Sequence, residues 1–153
     1  MYTEQITQRL GLAAGIAPQQ LNNARLNSDG IDVSKFKRIF FVLSIGANAG
    51  SISAWLQESA DNSSWTANDT AGAFSGGAGG NTSLTGLVSA NKIYTFEARA
   101  DNITAGKRYV RLQIKEVNSA NVQVCVVSYG DEADAKPGNA QNASAVTTQQ
   151  VVT

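Results

Sequence analysis

A chain of 153 residues with 42% hydrophobic content is long enough to close one sandwich-type core and too short for two comfortable domains. Its 12 basic and 12 acidic residues cancel and are scattered, so no electropositive stripe exists to follow a phosphate backbone, and nucleic acid is not an expected partner. The start, Met1-Tyr2-Thr3-Glu4-Gln5, has no basic region leading into an apolar stretch, and no apolar run is long enough for a bilayer; the expectation is a protein made in the cytoplasm, with no membrane partner.

Residues 1–30 are polar and irregular, with Gln19-Gln20, Asn22-Asn23 and the turn signal Ser28-Asp29-Gly30. Thr3 could cap a short helix over Glu4 to Leu12, but Gly11 and Gly15 weaken it, so this stretch reads as an arm lying on another surface. From Phe36 to Ile45 the pattern becomes that of a strand. Ile39, Phe41, Leu43 and Ile45 fall on one face and Phe40 and Val42 on the other, so both faces call for cover, by neighbouring strands or by a neighbouring subunit.

A turn at Gly46 to Gly50 leads to Ile52, Ala54 and Leu56 alternating with Ser53, Trp55 and Gln57, which predicts a second strand returning antiparallel to the first. Glu58 to Trp65 turns the chain again, with Asp61 and Asn62 able to bond their own backbone. Glycine is too dense between about residues 70 and 91 for a buried element, so this segment reads as a surface loop.

Lys92 to Arg99 alternates Tyr94, Phe96 and Ala98 against Thr95, Glu97 and Arg99. After a turn at Asp101 to Gly106, Lys107 to Val117 alternates strictly, with Val110, Leu112 and Ile114 inward and Tyr109, Arg111, Gln113 and Lys115 outward. Asn118 to Asn121 is expected to close a hairpin into Val122, Val124 and Val126, the strand running on to Tyr129. The lone cysteine, Cys125, lies in that strand and reads as a small strand residue; without a second one no disulfide staples the fold within a chain. Beyond Asp131 the tail is polar, and Ala145 to Thr153 has strand propensity without a clear local partner, which leaves two readings: addition to a neighbouring subunit's sheet edge or an untethered terminus.

The chain has no histidine, which removes the commonest general base and metal ligand together, and one cysteine cannot build a tetrahedral zinc site; no cofactor is expected. Glu58 with Asp61, or Asp131 with Glu132, are the nearest carboxylate pairs for glycoside hydrolysis, but both read as solvated turn residues. The run Gly76 to Gly80 lacks the Lys-Ser/Thr that a phosphate cradle requires. Five Asn-X-Ser/Thr sites, at Asn62, Asn68, Asn81, Asn102 and Asn142, mark polar loops. Trp55, Trp65, Tyr94 and Tyr109 could instead form an aromatic platform for a sugar, the basis of an alternative reading as a carbohydrate-binding module.

The phrase Leu56-Gln57-Glu58-Ser59-Ala60-Asp61-Asn62-Ser63-Ser64-Trp65, followed by Thr95 to Asp101 and by Ala105-Gly106-Lys107-Arg108-Tyr109-Val110-Arg111-Leu112, resembles small virion structural proteins of tailed bacteriophages, in particular capsid decoration (cement) proteins. The resemblance spans about residues 30–130 and departs from the compact form of the family at the glycine-rich insertion of residues 70–80. It implies a non-enzymatic β-sandwich or jelly-roll protein on the capsid exterior, often trimeric, whose partners are copies of itself and the major capsid protein; related phrases also occur in phage tail and baseplate components, so the alternative is a phage tail-associated or surface carbohydrate-binding module.

Together these readings predict an all-β, antiparallel β-sandwich or jelly-roll-like single domain over 31–130, with arms at 1–30 and 131–153. The candidate interface residues are Phe40, Val42, Trp55, Tyr109 and Arg111.

Overall fold

The computed structural model describes residues 10–65, 83–87, 90–116 and 118–132. Nine strands run through them: β1 (Leu10–Leu21), β2 (Arg25–Asn27), β3 (Ile31–Asp32), β4 (Phe36–Asn48), β5 (Ile52–Ser59), β6 (Ser83–Leu87), β7 (Lys92–Arg99), β8 (Tyr109–Glu116) and β9 (Val122–Glu132). They form two antiparallel sheets, in the orders β1-β9-β4-β7 and β2-β8-β5-β6, with β3 adding beside β2 on the edge of β8.

The pairings β1·β9, β2·β8, β4·β7 and β5·β6 are nested in sequence, while β4·β9 and β5·β8 close each sheet. The chain is therefore one long antiparallel ribbon, doubled back between β5 and β6 and rolled so that alternate strand pairs fall in opposite sheets. This is the wrap of a double-sheet jelly roll.

Period-two burial makes the roll stable. Ile39, Phe41, Leu43 and Ile45 of β4 and Val122, Val124 and Val126 of β9 face Ile52, Ala54 and Leu56 of β5 and Val110, Leu112 and Ile114 of β8 across one continuous core. All of these side chains are buried to 2% exposure or less.

Three sequence expectations are corrected. Residues 10–27 are not an arm: β1 is an edge strand along nearly the whole of β9, and β2 pairs with β8. The small residues Ala13 and Ala14 are buried at a register shift, where the Ser128 hydroxyl donates to the Ala14 carbonyl at 2.8 Å. The expected β4–β5 and β8–β9 hairpins are crossings between the two sheets, because both members of each pair turn an apolar face to the same interior and meet across it. Within the span read as a glycine-rich loop, Ser83–Leu87 is strand β6. The glycine run itself, residues 1–9 of the expected N-terminal arm, and the tail from Ala133 lie outside the described residues.

Close approach of backbone and ring explains one glycine. A Cβ on Gly130 would fall within the Phe36 ring, which lies buried where the end of β9 pairs with the start of β4.

Buried acceptors tie the crossings together at each end of the sandwich. At one end the Glu116 carboxylate accepts from Asn23 N at 2.6 Å and Asn118 N at 2.7 Å, linking the β1–β2 and β8–β9 crossings. At the other, Glu58 accepts from Thr104 N at 2.9 Å. Nearby, Asp32 caps the short 3-10 turn over Val33–Lys35 through Ser34 and receives both Nε and Nη2 of Arg108.

Burial alone would raise the Glu116 pKa, but the backbone N–H groups of Asn118, Asn23, Ala120 and Ser119 outweigh it and hold the carboxyl below its usual range. Burial likewise opposes ionisation of Asp32, yet hydrogen bonds from Arg108 and Ser34 bring its pKa down to about 2 from 3.8. A depressed native pKa means that the unfolded state binds more protons in acid. The stabilisation is thus complete above the unfolded carboxyl values and is lost as pH falls through the native ones, for Asp32 between about 4 and about 2. Thermal melts should show the unfolding midpoint constant above about pH 5 and falling below it. Glu116→Gln should lower the midpoint at neutral pH and shallow the acid slope; an unchanged slope would show that Glu116 does not contribute to it.

Candidate functional site

The outer face of the β1-β9-β4-β7 sheet follows from the same alternation that fills the core. Once Phe41, Leu43, Val124 and Val126 point inward, Phe40, Val42, Cys125, Val127 and Tyr129 must point out. Cross-strand register then sets them in rows. Leu12, Tyr129, Phe40 and Glu97 form one row, and Gly15, Val127, Val42 and Thr95 the next. Cys125, Ser44 and Ile93 form a third.

Phe40 and Tyr129 remain 40% and 38% exposed, and Leu12, Val42, Val127 and Cys125 are half-buried, so an apolar strip crosses three strands in contact with solvent. Charge lies along one margin: Asp131, Arg38 and Arg99 share the row beyond Phe40, and Arg38 reaches Glu97 at 3.7 Å. Where β1 loses register between Ile16 and Gln19, an open groove of about 440 Å³ runs beside Pro18 and Cys125, lined also by Gln19, Gln20, Ser44 and Gln123. Among the described residues its lining carries no carboxylate and no basic side chain.

Of the predicted interface residues, the fold brings Phe40 and Val42 together on this face. Tyr109 and Arg111 lie on β8, in the opposite sheet, with outward parity. Trp55 is only 5% exposed, so it offers no free surface, and its indole N–H finds no acceptor among the described residues. Arg111 is engaged within the chain: its Nε donates to Gln57 Oε1 at 2.8 Å and its guanidinium lies 4.2 Å from the centre of the Trp65 ring. The four aromatics considered as a sugar platform do not meet on one surface, because Tyr94 belongs to the other sheet and points toward the core.

The carboxylates are also placed. Glu58 is 1% exposed inside β5 rather than a solvated turn residue, its chain continuing the inward set of Ala54 and Leu56. Asp61 does sit in the turn: it accepts from Ser63 N, Ser64 N and the Ser59 hydroxyl, and the backbone bonds, from Ser64 first, push its pKa well below the carboxylate range. Asp131 lies on the outer sheet face beside Arg38. No group of three His, Cys, Asp or Glu side chains able to hold a metal occurs among the described residues, nor does a helix long and apolar enough to cross a membrane.

Leu12 and Tyr129 are members of the strip that the sequence reading passed over. Tyr129 was legible in principle, since the inward parity of Val122, Val124 and Val126 carries forward to it, whereas Leu12 was hidden in a segment read as an arm.

No protein-family model and no curated protein matches the chain. Among solved structures, the chain is similar to a Bacillus endospore appendage pilus protein at TM-score 0.42 and 10% identity, covering 87% of this chain and 99% of that one. The enzymatically active domain of bacteriophage CBA120 tailspike protein 4 gives TM-score 0.42 and 10% identity over 82% of this chain, which spans only 20% of that one. A chain of the cyanophage Pam1 capsid asymmetric unit gives TM-score 0.34 and 15% identity, over 85% and 90%. These likenesses are too remote to assign a function.

Adjacent phenylalanines separate core from surface. Phe41→Ala, at a fully buried site, should cost about 3–5 kcal/mol in urea denaturation. Phe40→Lys should cost about 1 kcal/mol or less. Equal losses would mean that the strip is packed and not a free surface.

Proposed function

We propose that this protein is a non-enzymatic structural component of a phage virion, docking on the major capsid protein lattice as a decoration protein. The observation that carries the reading is the apolar strip of Leu12, Tyr129, Phe40, Val127 and Val42 on a regular sheet face. Solvent-exposed aromatic and aliphatic side chains fixed on a rigid sheet suit protein association, since little side-chain entropy is lost when they are covered.

Other features support the same role. The first candidate pair for hydrolysis is spent on structure: Glu58 and Asp61 accept backbone N–H bonds, and the lowered pKa of Asp61 opposes the raised value a general acid needs. A jelly roll serves capsid and lectin domains alike, so the fold does not choose between them. The dispersal of Trp55, Trp65, Tyr94 and Tyr109 favours the capsid.

The test is addition of purified protein to expanded phage capsids that lack their decoration protein, followed by sedimentation. The expected result is saturable, stoichiometric binding, reduced at least tenfold in affinity by the double change Phe40→Lys, Tyr129→Lys, a loss of about 1.4 kcal/mol or more. Absence of binding to any capsid form, or binding indifferent to the double change, would overturn the proposal.

A further inference from the structure

Among the described residues the sandwich has four strand edges, and three of them are blunted. On one sheet, β1 is broken by two register shifts and contains Pro18. On the other, β2 and β3 are three and two residues long, and β6 has five residues with a register shift against β5. Interruptions and short lengths of this kind are how proteins keep unpaired N–H and C=O groups from capturing another strand.

The fourth edge is different. Strand β7 has eight residues, holds unbroken register with β4 from Arg38↔Arg99 to Ile45↔Lys92, contains no proline, and has no strand on its far side among the described residues. Ile93, at 68% exposure, stands on it.

We infer that β7 pairs antiparallel with β7 of a second copy, joining the two β1-β9-β4-β7 sheets into one eight-stranded sheet about a two-fold axis at Thr95. Parity limits the register. For the inner faces of both copies to lie on the same side, a residue must pair with one of like parity, so the sum of paired residue numbers is even.

With the axis at Thr95, Tyr94 meets the partner's Phe96 on the core side, while Thr95 meets its own copy and Ile93 meets the partner's Glu97 on the outer side. The half-buried Tyr94, which already packs against the core, then gains an aromatic ring directly opposite it across the new strand pair. Moving the axis to Tyr94 would instead set Lys92 against the buried Phe96 ring, and moving it to Phe96 would set Ile93 against Arg99.

Electrostatics permit this pairing. Glu97 and Arg99 are paired within the chain, to Arg38 at 3.7 Å and to Asp101 at 3.0 Å, and the two Lys92 residues stand six positions apart, about 20 Å. No like charges face each other. A second copy is favoured over an unrelated strand because this one segment satisfies both sides of the pairing at once, as an isologous interface requires. The resulting dimer is distinct from the trimer implied by the family resemblance and does not depend on capsid binding.

Cysteine scanning of the full chain in a Cys125→Ser background tests both the dimer and its register. Under mild oxidation Thr95→Cys should form a disulfide-linked dimer, because residues directly opposite in an antiparallel pair lie within disulfide reach. Ile93→Cys or Glu97→Cys alone should remain monomeric on a non-reducing gel, while mixing the two single variants should yield the crossed dimer. In parallel, Thr95→Lys, which sets two cations on the axis, should turn a dimer into a monomer in analytical ultracentrifugation, with an unchanged thermal midpoint of the monomer fold. A wild-type chain that sediments as a monomer throughout the micromolar range, or cross-linking at 93 or 97 as efficient as at 95, would overturn the inference.

Discussion

Everything in this molecule depends on two sets of inward-facing side chains, one from each sheet, sharing a single dry interior. Phe41 and Leu43 on β4 and Val124 and Val126 on β9 have no other place to bury; nor do Leu56 on β5 and Leu112 on β8. Fully burying each such side chain is worth roughly 1.5–3 kcal/mol, but only if both sheets are present, since either sheet alone leaves its apolar face in water. The roll is therefore formed by the core and held in register at its ends, where the chain must leave one sheet for the other.

Those crossings explain why a β protein buries so many polar side chains. Backbone that leaves a ladder to cross between sheets carries N–H groups with no strand partner, and each must be met by something. Glu116 meets those of two crossings at one end. Glu58 and Asp32, with Arg108, do so at the other, where Arg108 N also bonds the Ser59 carbonyl at 2.8 Å and Val33 N the Arg108 carbonyl at 2.9 Å. Ser28 closes a reciprocal pair with Leu112, through both its backbone N–H and its hydroxyl. Carboxylates that might suggest chemistry in a list of residues are in place the acceptors that let the ribbon turn.

The strand faces were legible in the sequence, and their neighbours were not. Alternation tells which side of a strand is apolar, as it did for Val110, Leu112 and Ile114, but a connection of three to five residues serves equally to close a hairpin of about 4.8 Å or to arch across the roughly 10 Å between sheets. Hence the β4–β5 and β8–β9 connections looked like hairpins. Strand β1 was missed because two register shifts break its alternation and its buried residues are largely small, so it shows neither period nor bulk. Trp55 has the outward parity expected of it, yet parity alone does not say whether an outer face is covered, and here it is. Phe40 and Val42 were identifiable because an apolar residue on the second face of an otherwise alternating strand has no explanation within one sheet.

The two proposed surfaces reinforce each other geometrically. An axis perpendicular to the sheet at Thr95 leaves the outer faces of both copies looking the same way, so the Phe40–Tyr129 strips lie side by side. The strands β4, β7, β7 of the partner and β4 of the partner stand three spacings apart from first to last, about 14 Å. One copy's strip then becomes one of two on a common face, separated by the outer residues Thr95 and Glu97 of the two β7 strands, doubling the contacts a lattice can make without any new side chain. Binding of the second copy's strip becomes intramolecular once the first has docked, and the effective concentration of that step is set by the rigid sheet between them instead of by solution. A weak face, with two partly exposed aromatics and a handful of half-buried aliphatics, could hold to a repetitive surface on those terms, because one docked strip keeps the other close to its own site.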